Sequence, residues 1–151
     1  MQERRNAPTG VIIHCSDSSY GDVELFRQWH LDNGWDDIGY NWVITNGVFK
    51  NRSRYKKERD GLLQVGRDIR YLGAHAKGYN ESHLGICLTG RWHFTWAQFA
   101  TLFHQLRRIK EEYMPDLRVD DILGHYEVDT KGKTCPNIDM DSFRGYMKGI
   151  L

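Results

Sequence analysis

Hydrophobic and polar positions alternate in blocks that mark out short strands and amphipathic helices. Val11-Ile12-Ile13-His14-Cys15 is a β-branched run that breaks into Ser16-Asp17-Ser18-Ser19, the pattern of a strand buried on both faces. Such a strand delivers His14 to its end, where loops gather side chains into sites. From Asp22 to Asn33 the apolar residues Leu25, Phe26 and Trp29 share one helical face, with Asp22 as N-cap and Gly34 as stop. Leu84-Gly85-Ile86-Cys87-Leu88 repeats the buried-strand pattern and makes Cys87 a small core residue. The strongest helix signal is Thr95-Trp96-Ala97-Gln98, a capping-box sequence with Phe94 and Phe99 in staple positions. Phe99, Leu102, Phe103, Leu106 and Ile109 keep the helical period until Pro115 ends it. Ile122-Leu123-Gly124-His125 reads as a short strand, and Asp139 to Lys148, with Phe143 and Met147 inward, as a closing helix.

Two turn signals compete. Asn46-Gly47, between Tyr40–Ile44 and Val48–Lys50, has the dipeptide of a two-residue hairpin. Asp60-Gly61, before Leu62-Leu63-Gln64-Val65, is a rival, and the pattern does not decide which closes the sheet. Between them Lys50, Arg52, Arg54, Lys56, Lys57 and Arg59 face only Glu58 and Asp60. Strands interleaved with helices predict an α/β (α+β) fold: a single layered domain, residues 1–151, with a mixed central β-sheet flanked by helices.

Composition narrows the class. The 151 residues suit one domain, and 40% hydrophobic with 27% charged residues excludes disorder as the main state. A net charge of +1 argues against a dedicated nucleic-acid binder, although it leaves room for a local basic patch. No run approaches the ~18 apolar residues of a membrane span. Met1-Gln2-Glu3-Arg4-Arg5 lacks the apolar stretch of a signal peptide, so the expected location is a cytoplasm. Cys15, Cys87 and Cys135 are odd in number and contain no C-x-x-C pair, which does not read as a disulfide framework.

Seven histidines remain to be sorted. His14 ends a buried strand, and His125 sits in Gly124-His125-Tyr126-Glu127 shortly before Cys135-Pro136. Two imidazoles and a thiolate are a zinc-type set, and three protein ligands leave a fourth tetrahedral position open for catalysis. Spacing alone favours a core cysteine and two unrelated histidines, because no compact metal motif links these positions. Cys15, adjacent to His14, alternates to the other strand face and is not expected to be a ligand. His30 is expected to pack beside Trp29, and His83, His93 and His104 carry no motif.

Eight ordered segments go further: Ile12-Ile13-His14-Cys15-Ser16, Arg27-Gln28-Trp29-His30, Gly34 to Tyr40, Val65-Gly66-Arg67-Asp68, Gly73 to Asn80, Leu84 to Gly90, Gly124 to Glu127 and Lys133-Thr134-Cys135-Pro136. In this order they resemble the type 2 N-acetylmuramoyl-L-alanine amidases, closely the small podophage lysozymes of that family, which are related to peptidoglycan recognition proteins. The resemblance spans about Val11 to Phe143. It implies that His14, His125 and Cys135 bind Zn²⁺, that Tyr40 and Lys133 are catalytic, and that His75 touches substrate. The implied protein is a monomeric phage endolysin that cleaves the amide between N-acetylmuramic acid and L-alanine of bacterial peptidoglycan. It is expected to wait in the host cytoplasm before acting on the periplasmic wall, without a stable nucleic-acid or membrane partner.

Some relatives of this kind also inhibit a phage RNA polymerase, which nothing in the sequence establishes. The rival reading is a non-hydrolytic muramyl-peptide-binding or polymerase-regulating protein of the same fold. Cys135 disfavours it, since non-hydrolytic members commonly lack that cysteine. Two departures from the family pattern stand out: Asn41-Trp42 follows Tyr40 where many relatives have His-Phe, and the basic Lys50 to Arg59 stretch exceeds the usual hairpin.

Overall fold

The computed structural model describes residues 1–151. Strand β1 (Gly10–Cys15) is buried along its whole length, as a β-branched run between two neighbours must be. Those neighbours are β4 (His83–Leu88) and β5 (Ile122–Gly124), both parallel to it. Strand β2 (Trp42–Asn46) runs parallel to β4 and antiparallel to β3 (Asp60–Val65), giving the order β3-β2-β4-β1-β5. The expected mixed sheet with flanking helices is therefore present.

Period-2 alternation divides the core between two faces. Val11, Ile13, Trp42, Ile44, Leu84, Ile86 and Leu88 face Leu102, Leu106 and Ile109 of α2 (Trp96–Glu112) and Met140, Phe143 and Met147 of α4 (Met140–Met147). Val43 and Cys87 face the other way, packing with Val23 and Phe26 of α1 (Val23–Asp32) and with Ile38. Asp22 caps α1 by accepting from the Leu25 amide at 3.0 Å, and Asp139 caps α4 through the Ser142 amide at 3.1 Å. A single turn, α3 (His125–Val128), follows β5 directly. No helix is long and apolar enough to cross a membrane.

The structure settles the choice the sequence left open between the two turn signals: neither closes a tight hairpin. The strand expected at Tyr40–Ile44 is shifted to Trp42–Asn46, and Val48–Lys50 forms no strand; the antiparallel partner of β2 is β3, with Ile44 opposite Leu63. Asn46 turns the chain outward, its Oδ1 accepting from the Val48 amide at 3.0 Å while its Nδ2 donates to the Ser19 carbonyl at 3.1 Å. Residues 47–59 make an excursion that is exposed from Lys50 to Glu58, and Asp60-Gly61 is where the chain rejoins the sheet. Gly61 has φ +72° and lies so close to α2 that a Cβ would stand 2.7 Å from the Ala97 carbonyl oxygen. Register shifts between Ile44 and Asn46 at the same place.

The capping box of α2 does more than start the helix. Thr95 Oγ1 accepts from the Gln98 amide and Gln98 Oε1 from the Thr95 amide, each at 3.0 Å. The fully buried Gln98 then spends its Nε2 on two carbonyls of the sheet edge, Ile44 at 3.1 Å and Thr89 at 2.8 Å. Gln98→Leu keeps the bulk but strands the Thr89 carbonyl, leaves the Ile44 carbonyl only the Thr89 amide at 3.0 Å, and removes half the cap, so we expect a loss of about 2–4 kcal/mol in unfolding free energy. Urea titration measures it; a loss below ~0.5 kcal/mol would show the contacts to be idle.

Candidate active site

Alternation along β1 puts His14 on the face opposite Val11 and Ile13, at the strand's C-terminal end. Its imidazole is 1% exposed, so both ring nitrogens need partners. One partner is His75, whose Nδ1 lies 2.8 Å from His14 Nε2. His75 Nε2 in turn lies 3.1 Å from the His83 carbonyl oxygen, which can only accept. His75 therefore carries its proton on Nε2 and accepts on Nδ1, His14 carries its proton on Nε2, and the lone pair of His14 Nδ1 is left facing the cleft. Two glycines make room for this chain: a Cβ on Gly85 would meet His75 Cγ at 2.7 Å, and one on Gly73 would meet its Cδ2 at 2.6 Å. Asn80 Oδ1 fixes the loop by accepting from the amides of His75 at 2.8 Å and Ala76 at 2.9 Å.

His125 arrives from β5, the other neighbour of β1, and its ring centroid is 4.5 Å from that of His14. Glu127 holds the turn, accepting from the Gly124 amide at 2.9 Å and pairing with both terminal nitrogens of Arg144 on α4 at 2.7 and 2.8 Å. Cys135 closes the group. Its Sγ accepts from the Cys15 amide at 3.1 Å, and its carbonyl accepts from the Tyr126 amide at 2.7 Å. The donor atoms of His14, His125 and Cys135 lie within 4.8 Å of one another. Tetrahedral zinc sets its N and S donors about 3.3–3.8 Å apart, so the two imidazoles and one sulphur fit the ion with roughly an ångström of contraction.

Tyr40 stands beside this group, its ring centroid 5.1 Å from that of His14. Arg67, itself buried, holds the backbone around it by donating to the carbonyls of Ile38 at 2.8 Å, Leu72 at 2.8 Å and Asp37 at 3.2 Å. Asn41 is buried, with its Nδ2 on the Arg67 carbonyl at 3.1 Å and its Oδ1 on the Gly85 amide at 2.8 Å, so this departure from the family pattern serves as a stitch between β2 and β4. Lys133 is exposed on the loop before Cys135, at the wall of a cleft of about 480 Å³ that His14, Tyr40, His75, His125 and Cys135 also line.

Burial sets the protonation states. Desolvation holds His14 well below its ordinary range, with His75, His125 and the positive charge of Lys133 adding to the effect. Desolvation also pushes His75 down to about 3 and lowers His125, leaving neutral imidazoles with free lone pairs. Burial raises the Tyr40 phenol well above its usual range, so it stays a hydrogen-bond donor. The hydrogen bond to the Cys15 side chain, with burial, raises the Cys135 thiol, so a cation bound there must displace its proton.

All six positions singled out in the sequence meet in this one cleft. His75 is 8% exposed and bonds to His14, a placement behind that residue as well as beside the cavity. Cys15 is outside the donor triad, as expected, yet its amide and side chain buttress Cys135. His30 packs on Trp35, centroids 4.4 Å apart, and accepts from the Gly39 amide at 2.9 Å. Sequence reasoning missed Trp35 and Asn137 as cleft walls and Arg67 as the support of Tyr40. Their only signal was membership of, or closeness to, the ordered segments.

In the unfolded chain these imidazoles titrate near 6.5, so below that pH the unfolded state takes up protons that the folded state refuses. Metal-free protein should hold this stability in full above about pH 7 and lose it progressively as pH falls from about 6.5 toward 3. Urea midpoints in chelator across that window check it, with His75→Gln giving a shallower decline; a midpoint that rises on acidification overturns the assignment.

A family model described as N-acetylmuramoyl-L-alanine amidase matches residues 4–138. The endolysin of Escherichia phage T7 is 32% identical over 149 residues, covering 91% of this chain and 86% of its own length. The endolysin of Klebsiella phage KP32 is 30% identical over 148 residues, with 91% and 85% covered. Among solved structures, the N-acetylmuramoyl-L-alanine amidase LysC from Clostridium intestinale superposes with a TM-score of 0.73 at 20% identity, covering 97% of this chain and 93% of that one. Bumblebee PGRP-SA gives 0.74 at 22% identity, with 100% and 86% covered, so the fold is shared with recognition proteins. Matched over most of its length by the family model and by relatives of its own size, the chain belongs to the N-acetylmuramoyl-L-alanine amidase family.

Proposed function

We propose that this protein is a zinc-dependent peptidoglycan hydrolase of the endolysin type, cutting the amide that joins the lactyl group of N-acetylmuramic acid to L-alanine of the stem peptide. The observation that carries the reading is the convergence of His14, His125 and Cys135 on one cleft floor with Tyr40 and Lys133 beside them. When bound, Zn²⁺ supplies Lewis-acid activation of water and of the scissile carbonyl. The chain's own residues do the rest. The His83–His75–His14 hydrogen-bond series fixes the tautomer that offers Nδ1 to the metal, and the Cys15 amide orients the Cys135 sulphur.

Lys133 brings a positive charge to the cleft wall, where it stabilises charge developing on the carbonyl oxygen of the substrate. Tyr40, kept as a phenol by burial, accepts at its oxygen the proton that the attacking water gives up and donates its own to the departing amine nitrogen, so that it ends the step as a phenol. Water gives its hydroxyl to the lactyl carbonyl carbon, the C–N bond breaks, and L-alanine leaves as a free amine. In this reading the enzyme accumulates in the host cytoplasm and meets the periplasmic wall after the inner membrane is breached.

Mass analysis of digested purified peptidoglycan tests the bond assignment: intact stem peptides should be released, with activity lost in chelator and in Cys135→Ser. Fragments cut within the glycan chain, or undiminished cleavage by Cys135→Ser, overturn it. Tyr40→Phe and Lys133→Ala should each lower kcat by about 10²-fold or more while retaining one equivalent of zinc. Loss of the zinc along with the rate would reassign either residue to metal binding. His75→Ala should weaken zinc binding by about 10–100-fold in competition with a chelator, with partial recovery in His75→Gln, whose amide can accept from His14 and donate to His83. Unchanged zinc affinity would restrict His75 to the substrate.

A further inference from the structure

The excursion after β2 concentrates charge that the fold does not neutralise. Residues 50–59 hold six of the chain's 21 Lys and Arg and one carboxylate, Glu58, in a protein whose net charge is +1. Arg27, Arg70, Arg91, Arg108, Arg118 and Arg144 all form ion pairs, but none of the six excursion cations has a carboxylate partner. All are exposed except Arg59, which is half-buried over the Phe49 ring at 4.9 Å. The loop is nonetheless built. The Lys56 amide donates to the Gly47 carbonyl at 2.9 Å, Ser53 to Lys50 at 3.0 Å, and Thr45 Oγ1 to the Arg59 carbonyl at 2.7 Å.

Its position is set by topology. Because β1, β2 and β4 are parallel, the chain leaves β2 at the same sheet edge where β1 delivers His14. The segment after His14 runs to the base of the excursion, with the Gly21 amide on the Val48 carbonyl at 2.8 Å. At the cleft lip the Asp17 carbonyl accepts from Arg91 Nε at 2.7 Å, and beyond Arg91 stand two indoles, Trp92 at 66% and Trp96 at 86% exposure. Asp60 ties this helix end back to the loop, its Oδ1 accepting from Thr95 Oγ1 at 2.6 Å and its Oδ2 from the Tyr55 hydroxyl at 2.7 Å. The cleft, the two exposed indoles and the unpaired cations thus gather at the same end of the sheet. Burying two indoles is worth far more than leaving them in water, so their exposure beside the site marks a contact face.

We propose that Lys50–Arg59, with Trp92 and Trp96, is a second contact surface for polymeric peptidoglycan, holding units of the network next to the one whose amide lies in the cleft. This rests on the amidase reading. The cations match the free carboxylates of neighbouring stem peptides, and the indole faces match amino-sugar rings. A cleft of about 480 Å³ engages only a short segment, so an attached second contact raises the effective concentration of the next cleavable bond. Continuity with the cleft favours the wall over an anionic lipid or a nucleic acid, for which no placement beside His14 is needed.

Two variants test it independently: Arg52→Asn/Arg54→Gln/Lys56→Gln/Lys57→Gln in the loop, and Trp96→Ala on the helix end. Each is assayed for co-sedimentation with purified sacculi over a salt series and for hydrolysis of a soluble monomeric muramyl peptide. The loop variant should bind sacculi about tenfold more weakly and lose most of its salt dependence, and Trp96→Ala should lose several-fold, while both cleave the soluble fragment within about twofold of the parent. Unchanged sacculus binding by both variants overturns the proposal. So does an equal fall on the soluble fragment, or a loss confined to anionic phosphatidylglycerol vesicles or to duplex DNA. Failure of the parent, loaded with zinc, to cleave the soluble fragment would count against the amidase reading alone, because sacculus binding is read without turnover.

Discussion

Parallel strands cannot be joined by tight turns, and pairing β1 with β4 on one side and β5 on the other governs the rest of this molecule. Each connection must cross a sheet face, which places α1 on one side and α2 on the other and buries β1 completely. The same pairing brings the C-terminal ends of β1, β2 and β4 to one edge and starts α3 at the end of β5. His14 and His125 are far apart in sequence, yet they occupy ends of adjacent strands and their rings come within 4.5 Å. The cleft, the excursion and the exposed indoles all inherit their common edge from this arrangement.

Burial at that edge imposes a second constraint, because a polar group removed from water must find a partner. The region around His14 meets it in a chain of imidazoles that ends on a backbone carbonyl, with Asn41, Asn80 and Arg67 each joining several backbone groups. Glycine is required at 73 and 85 for a steric reason: the His75 ring occupies the space a Cβ would need. The side chains of His14, His125 and Cys135 are therefore held by packing and hydrogen bonds, and desolvation keeps the imidazoles neutral with free lone pairs.

Charge is handled in two ways. Over most of the surface, arginines pair with nearby carboxylates, as Arg144 does with Glu127, where the pair also braces the turn carrying His125. In residues 50–59 the cations have no such partners, and the near-neutral total results from a polarised distribution. Exposed ion pairs contribute little to stability, so this imbalance costs the fold little and leaves the charges free to meet an external polyanion.

Local pattern alone determined the elements whose signals are short-ranged. The β-branched run of β1, the capping box and staple of α2, with Phe94 and Phe99 rings 6.2 Å apart, and the Asp22 cap of α1 all formed where alternation and cap chemistry placed them. The ordered segments likewise marked His14, Tyr40, His75, His125, Lys133 and Cys135. Tertiary structure alone decided the rest. Asn46-Gly47 carries a hairpin dipeptide, but the Asn46 side chain is drawn to Ser19 and Tyr55 packs against Gly47, so β2 pairs with a strand that begins at Asp60. Cys15 alternates away from His14 yet meets Cys135, because the loop after His125 folds back over the strand end. No periodicity records that His75 would stand behind His14, or that Arg67 would support Tyr40. Such contacts join residues tens of positions apart, and they exist only once the sheet has chosen its order.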